Sequence, residues 1–135
     1  LINIASAAAF ASAPGMASYN ATKAAVLSLS ETLVNELRGA RTQVSVVMPT
    51  FFRTNLLESA RGPAEALEQA ERLMASSTYR TSDVARDVLA LAGAGRTYIV
   101  LPRSARMLWR LKRWAPNLFL TRLVAMRERM RESGG

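Results

Sequence analysis

The 135-residue chain is 50% apolar and 21% charged, enough for one domain with a real core and too short for two. It contains no cysteine and no histidine, which excludes disulfides, Cys or His metal ligands, a thiol nucleophile and a Ser-His-Asp triad. The net charge of +8 is uneven: residues 101–135 carry nine basic and two acidic groups, whereas residues 1–60 carry four and three, and residues 61–100 five of each.

Leu1 opens the chain without a methionine and in the middle of an apolar run, so the sequence reads as a fragment lacking an N-terminal part. No signal peptide is seen, and no apolar run approaches the roughly 18 residues that span a bilayer. Leu1 to Ala5 is predicted to be a buried strand ending at Ser6. Residues 7–17 are small and contain Pro14-Gly15, which predicts a flexible connection able to fold over a ligand. A helix is expected from about Ser18 to Arg38, closed by Gly39. Its apolar positions Ala21, Ala25, Leu29 and Leu33, widened by Val26 and Leu37, predict burial on two sides.

Gln43 to Met48 is β-branched and apolar, a second strand stopped by Pro49. Strand, helix and strand imply a right-handed βαβ unit and a parallel sheet, whose ligands bind at the carboxyl ends of the strands. Ser6 and the segment Pro49 to Thr54 are thereby predicted to lie together. Gly62-Pro63 opens an amphipathic helix to about Ser76, with Pro63 in the first turn and Glu65 at the positive end of the dipole. Thr81 or Ser82 is expected to cap a further helix through Leu91, ending in Gly93 and Gly95, and Thr97 to Leu101 forms a third strand. The expected fold is α/β, a doubly wound, Rossmann-like parallel sheet over residues 1–102, followed by a basic, amphipathic helical tail over 103–135.

In that tail Met107, Leu111 and Trp114 make one stripe, and Arg103, Arg106, Arg110 and Arg113 make another. Pro116 breaks the run, and a second helix carries Phe119, Leu123, Met126 and Met130. Two readings stand side by side. The helices dock on the domain with their arginines in solvent, or they press tryptophans into an anionic membrane surface. Nucleic acid is not an expected partner, because the rest of the chain is nearly neutral.

The most pointed chemistry lies at Tyr19 and Lys23. Residues four apart share a helix face, so a phenol and an ammonium group project together. The ordinary tyrosine pKa is about 10, and a neighbouring positive charge favours the phenolate. Such a tyrosine can exchange a proton with a substrate oxygen, and Ser6 could hold that oxygen. Lys23 is one of only two lysines beside sixteen arginines, consistent with a need for a compact ammonium group. Each residue also has a plain reading: Ser6 as a strand-end cap, Tyr19 as a half-buried helix tyrosine, Lys23 as a solvated lysine and Thr54 as a helix cap.

Asn3-Ile4-Ala5-Ser6, followed thirteen residues later by Tyr19-Asn20-Ala21-Thr22-Lys23 and then by the turn at Pro49, resembles the short-chain dehydrogenase/reductase family. The likeness covers residues 1 to about 102. It implies that Tyr19 is the catalytic acid/base, that Lys23 tunes it and binds the nicotinamide ribose, and that Ser6 positions the substrate oxygen. It further implies NAD or NADP as cofactor, contacted by Tyr19, Lys23, Pro49, Phe52 and Thr54, with no metal. Thr50 stands where the family usually has glycine. The Gly-rich phosphate turn and the family's catalytic asparagine would lie upstream of Leu1, so the fragment alone is expected to be inactive.

The resulting expectation is an NAD(P)-dependent oxidoreductase that interconverts an alcohol and a carbonyl. It would be cytoplasmic or membrane-associated at the surface, and a homo-oligomer through the helix Tyr19 to Arg38. Phe51 is expected to touch substrate, and Phe51, Phe52, Leu56 and the helix after Pro63 would form an apolar lid. The alternative is a non-catalytic protein of the same fold, binding a membrane surface or a partner through its tail.

Overall fold

The computed structural model describes residues 1–55, 57 and 64–132. In chain order the elements are β1 (Ile2–Ile4), α1 (Ala8–Ala11), α2 (Ala17–Glu36), β2 (Ser45–Pro49), α3 (Ala64–Ser76), α4 (Thr81–Gly93), β3 (Tyr98–Leu101), α5 (Ala105–Trp114) and α6 (Pro116–Glu132). The strands form one parallel sheet in the order β1-β2-β3, with Ile2 opposite Ser45 and Val46 opposite Tyr98.

The sequence of β2, Ser-Val-Val-Met-Pro, is apolar on both faces, as a central strand covered on both sides requires. Val46, Val47 and Met48 are fully buried. Alternation along the strand divides the core in two. Val46 and Met48 pack with Ala5, Phe10, Val100 and Ala105 beneath α1, α2 and α5. Val47 packs with Ile99, Leu101, Val84 and Val88 beneath α4.

The sheet is therefore doubly wound, as expected. The crossovers β1-α2-β2 and β2-α4-β3 step the same way across the sheet, yet α2 and α4 cover opposite faces. They consequently have opposite hands, and only one can follow the right-handed rule. The second crossover contains two helices, α3 and α4, and that longer path relaxes the constraint that sets the hand of a simple βαβ unit.

Three local expectations are corrected. Residues 7–17 are not simply a flexible connection, because Ala8–Ala11 is helical and Phe10 is buried in the core. Alanine is the strongest helix former, and Phe10 gives the short run something to bury. The left-handed Ser12 ends it. Neither Thr81 nor Ser82 caps α4. Arg80 is the residue before the helix, and its N–H donates to the Asp83 carboxylate at 3.3 Å. Thr81 is turned outward and donates its hydroxyl to the Arg53 carbonyl at 2.7 Å. β2 also runs through Pro49, which is paired with Leu101. Gly62 and Pro63 lie outside the described residues, as do the side chains of Glu65 and Met130.

The stripes expected in the tail are also rearranged. Ala105 and Trp109 face the sheet, with Ala105 buried and Trp109 packed on the first core cluster. The Trp109 ring meets Phe10 edge-on at 5.0 Å and lies 5.6 Å from Tyr98. The Arg113 guanidinium covers both Trp109 and Tyr98, at 5.1 and 5.8 Å, and Arg106 reaches back to the Val100 carbonyl. Met107 and Trp114 point outward. Only one face of α5 can meet the sheet, and the fit of the Trp109 ring between Phe10 and Tyr98 selects it.

Candidate active site

Parallel pairing aligns the carboxyl ends of the strands. The Ala5 N–H donates to the Val47 carbonyl and the Ala7 N–H to the Pro49 carbonyl, both at 2.8 Å, while the Thr50 N–H donates to the Leu101 carbonyl at 2.8 Å. Ser6 and the Pro49-Thr50 turn are therefore neighbours at one edge of the sheet. The Ser6 hydroxyl accepts a hydrogen bond from the Ala8 N–H at 3.2 Å. A hydroxyl so used keeps its own proton for a second partner.

The helix α2 returns antiparallel to β1 and is held to it by a buried polar contact. Asn3 donates from Nδ2 to the Ser30 hydroxyl at 3.0 Å, and Ser30 in turn donates to the Val26 carbonyl at 2.6 Å. This contact sets the level of everything else. Ser6 lies three residues past Asn3, about 10 Å along the strand. On α2, at 1.5 Å per residue, that distance is covered in about seven residues. Counting back from Ser30 reaches Lys23, with Tyr19 one turn further toward the strand ends.

Tyr19 and Lys23 are both half-buried, and the Lys23 ammonium lies 5.6 Å from the centre of the Tyr19 ring. The two side chains therefore face each other, as their spacing in the sequence suggests. Asn20, absent from the sequence-based list, fixes the approach to this helix. Its Nδ2 donates to the Ala13 carbonyl at 2.8 Å, tying the Pro14-Gly15 turn to the first turn of α2. Its buried Oδ1 has no partner among the described residues. The available signal was position, a turn-forming amide beside Tyr19 directly after a Pro-Gly turn.

The segment after β2 divides. Phe51 is exposed, whereas the Phe52 side chain packs against the second core cluster with Tyr79. Phe52 is thus a core residue rather than part of an apolar lid, and Leu56 lies outside the described residues. Thr54 is half-buried. Arg53 pairs with Arg80 in an isolated bridge, and its guanidinium donates to the Ala75 carbonyl at 3.0 Å. The turn is therefore fastened to the junction of α3 and α4.

At that junction the Tyr79 hydroxyl donates to Asp87 at 2.6 Å. Burial, then the hydrogen bond and charge of Asp87, push its pKa up to about 12. On the other face, Tyr98 donates to Glu31 at 2.8 Å. Burial and Glu31 push its pKa up, against the opposing charge of Arg113. Among the described residues no group of acidic side chains could hold a metal ion.

Residues 1–65 match the short chain dehydrogenase family. The chain is 30% identical over 100 residues to a 3-oxoacyl-(acyl-carrier-protein) reductase of Thermotoga maritima, covering 73% of this chain and 40% of that protein. The likeness is to the short-chain dehydrogenase/reductase family. The chain's backbone follows that of a family member from Burkholderia phymatum solved in complex with NAD, with a TM-score of 0.73 and 30% identity over 87% of this chain and 47% of the other. A short-chain dehydrogenase from Sphingobium yanoikuyae solved with NADPH gives a TM-score of 0.64 at 26% identity, over 89% of this chain and 44% of that one. The chain thus spans less than half the length of each of these relatives.

Proposed function

We propose that the protein is an NAD- or NADP-dependent oxidoreductase that interconverts an alcohol and a carbonyl, with Tyr19 as the acid/base. The observation that carries this reading is the Lys23 ammonium beside the Tyr19 ring, on a helix whose start lies near the strand ends where Ser6 sits. Relatives solved with NAD and NADPH support the choice of cofactor. The residues present fit the nicotinamide half of such a group. Tyr19 and Lys23 supply a phenol and an ammonium for ribose hydroxyls, and the segment Pro49 to Thr54, with Phe52 and Thr54, offers backbone and hydroxyl contacts beside them. When bound, the cofactor supplies or accepts the hydride.

The chain's own residues handle the oxygen and its proton. In the reducing direction the Ser6 hydroxyl donates to the carbonyl oxygen and holds it toward Tyr19. The Tyr19 hydroxyl passes its proton to that oxygen as negative charge develops there. The Lys23 ammonium stabilises the charge left on the phenol oxygen. Oxidation runs the same proton in reverse. Phe51 presents an apolar contact to the substrate. The outer face of α2, where Ala21, Ala25 and Leu29 are exposed, is the surface for association with a second copy.

Tyr19→Phe in the full-length protein tests this reading, because it keeps the ring and removes the proton. Turnover is expected to fall by roughly 10²- to 10⁴-fold, with cofactor affinity falling far less, because Lys23 and the segment Pro49 to Thr54 still hold the nicotinamide half. Turnover within a few-fold of the parent would end the proposal.

A further inference from the structure

We propose that the outward stripe of the tail, Arg103, Met107, Arg110 and Trp114, docks the protein on an anionic phospholipid bilayer. The inference does not depend on the catalytic reading. Docking of α5 sorts the tail's residues into two groups. Trp109, Arg113 and Arg106 are used against Phe10, Tyr98 and the Val100 carbonyl, and the Lys112 ammonium lies 5.5 Å over the Phe119 ring.

Among the described residues, what remains on the other side has no such use. At 3.6 residues per turn, Met107 and Trp114 lie about 140° or more around the helix from Ala105 and Trp109. They are 76% and 88% exposed. A tryptophan that exposed loses most of the burial that normally stabilises it. Arg110, and Arg103 in the turn before α5, are both exposed and lie three or four residues from Met107 or Trp114.

The pattern favours one partner. The tail carries nine basic and two acidic groups, so the partner must be anionic. A nucleic-acid backbone would account for the arginines and leave Met107 in water. A bilayer surface takes both, with phosphates meeting the guanidinium groups while Trp114 and Met107 enter the boundary between headgroups and acyl chains. No described helix is long and apolar enough to cross a membrane, so the contact is peripheral.

The test is flotation of the full chain with vesicles of phosphatidylcholine, alone or mixed with phosphatidylglycerol. Binding is expected to the mixed vesicles only and to weaken at high salt. Arg103→Gln and Arg110→Gln should each lower the partition about fivefold. Met107→Ser with Trp114→Ser should lower it at least about tenfold. These side chains are exposed, so the variants should keep the parent's unfolding transition. Brominated anionic lipid should quench tryptophan emission in the parent and not in Trp114→Phe, because Trp109 stays inside. Equal partition of parent and the double Ser variant would overturn the proposal, as would quenching that persists in Trp114→Phe. A change in oligomeric state without loss of vesicle binding, or binding of an oligonucleotide but not of vesicles, would do the same.

Discussion

Tyr19 and Tyr79 are both half-buried phenols near the start of a helix, and their neighbours carry opposite charge. Tyr19 has the Lys23 ammonium against its ring. Tyr79 donates a hydrogen bond to the Asp87 carboxylate, and its pKa is pushed up to about 12. A carboxylate accepting from a phenol favours retention of its proton. One arrangement suits proton transfer to a substrate. The other is a latch, tying the segment before α4 to the helix itself and supporting the turn that carries Arg53. On the proposed reading the fold uses the same side chain as reagent and as fastening, and the sign of the nearest charge separates the two.

Changing the charge beside Tyr19 should give a large effect, second only to removing its hydroxyl. Lys23→Met is expected to lower turnover about 10²-fold and to weaken cofactor binding, measured by steady-state kinetics and titration. Lys23→Arg should recover only part of the loss, because the planar guanidinium cannot occupy the space of an ammonium group. Loss of Asp87 should leave turnover nearly unchanged, and a fall matching that of Lys23→Met would erase the distinction between the two tyrosines.

The next effect falls on stability. Trp109→Ala removes the ring that seats α5 between Phe10 and Tyr98 and should cost about 3 kcal/mol in chemical denaturation. Trp114→Ala, at the exposed end of the same helix, should change stability by less than about 0.5 kcal/mol.

Smaller effects attach to the Tyr79 latch. Tyr79→Phe should cost about 1 kcal/mol without lowering turnover. Because the folded-state pKa of Tyr79 is raised, its contribution to stability is fully present below pH 10, the ordinary tyrosine value. It is lost as pH rises toward about 12. Denaturation midpoints measured across that interval should fall in the parent and fall less in Tyr79→Phe, with the raised Tyr98 supplying part of the remaining slope. Asn20→Ala, which frees the Ala13 carbonyl, should cost about 1 kcal/mol and report how tightly the Pro14-Gly15 turn is held.

Much of this was legible in the sequence, because it depended on short-range rules. The spacing of Tyr19 and Lys23 predicted their shared face, and the apolar, β-branched run from Gln43 to Met48 predicted the strand β2. Features that depended on distant partners were hidden. Nothing local tells which face of α5 meets the sheet until Phe10 and Tyr98 are in place. Phe52 resembled Phe51 in sequence but packs in space against the second core cluster, as Tyr79 does. The contact from Asn3 to Ser30, which levels α2 against β1, joins residues 27 positions apart. The helix α1 was hidden for another reason, since a short run of small residues beside a Pro-Gly turn carries no helical apolar period.

The central claim is that Tyr19 and Lys23 work as one proton-transfer unit. A double-mutant cycle on turnover, using Tyr19→Phe, Lys23→Met and the combined variant in the full-length protein, tests it most directly. The account predicts that the combined variant is little slower than Tyr19→Phe alone, because the ammonium has no charge to stabilise once the proton donor is gone. Losses that simply multiply would show the two residues acting separately and would contradict it.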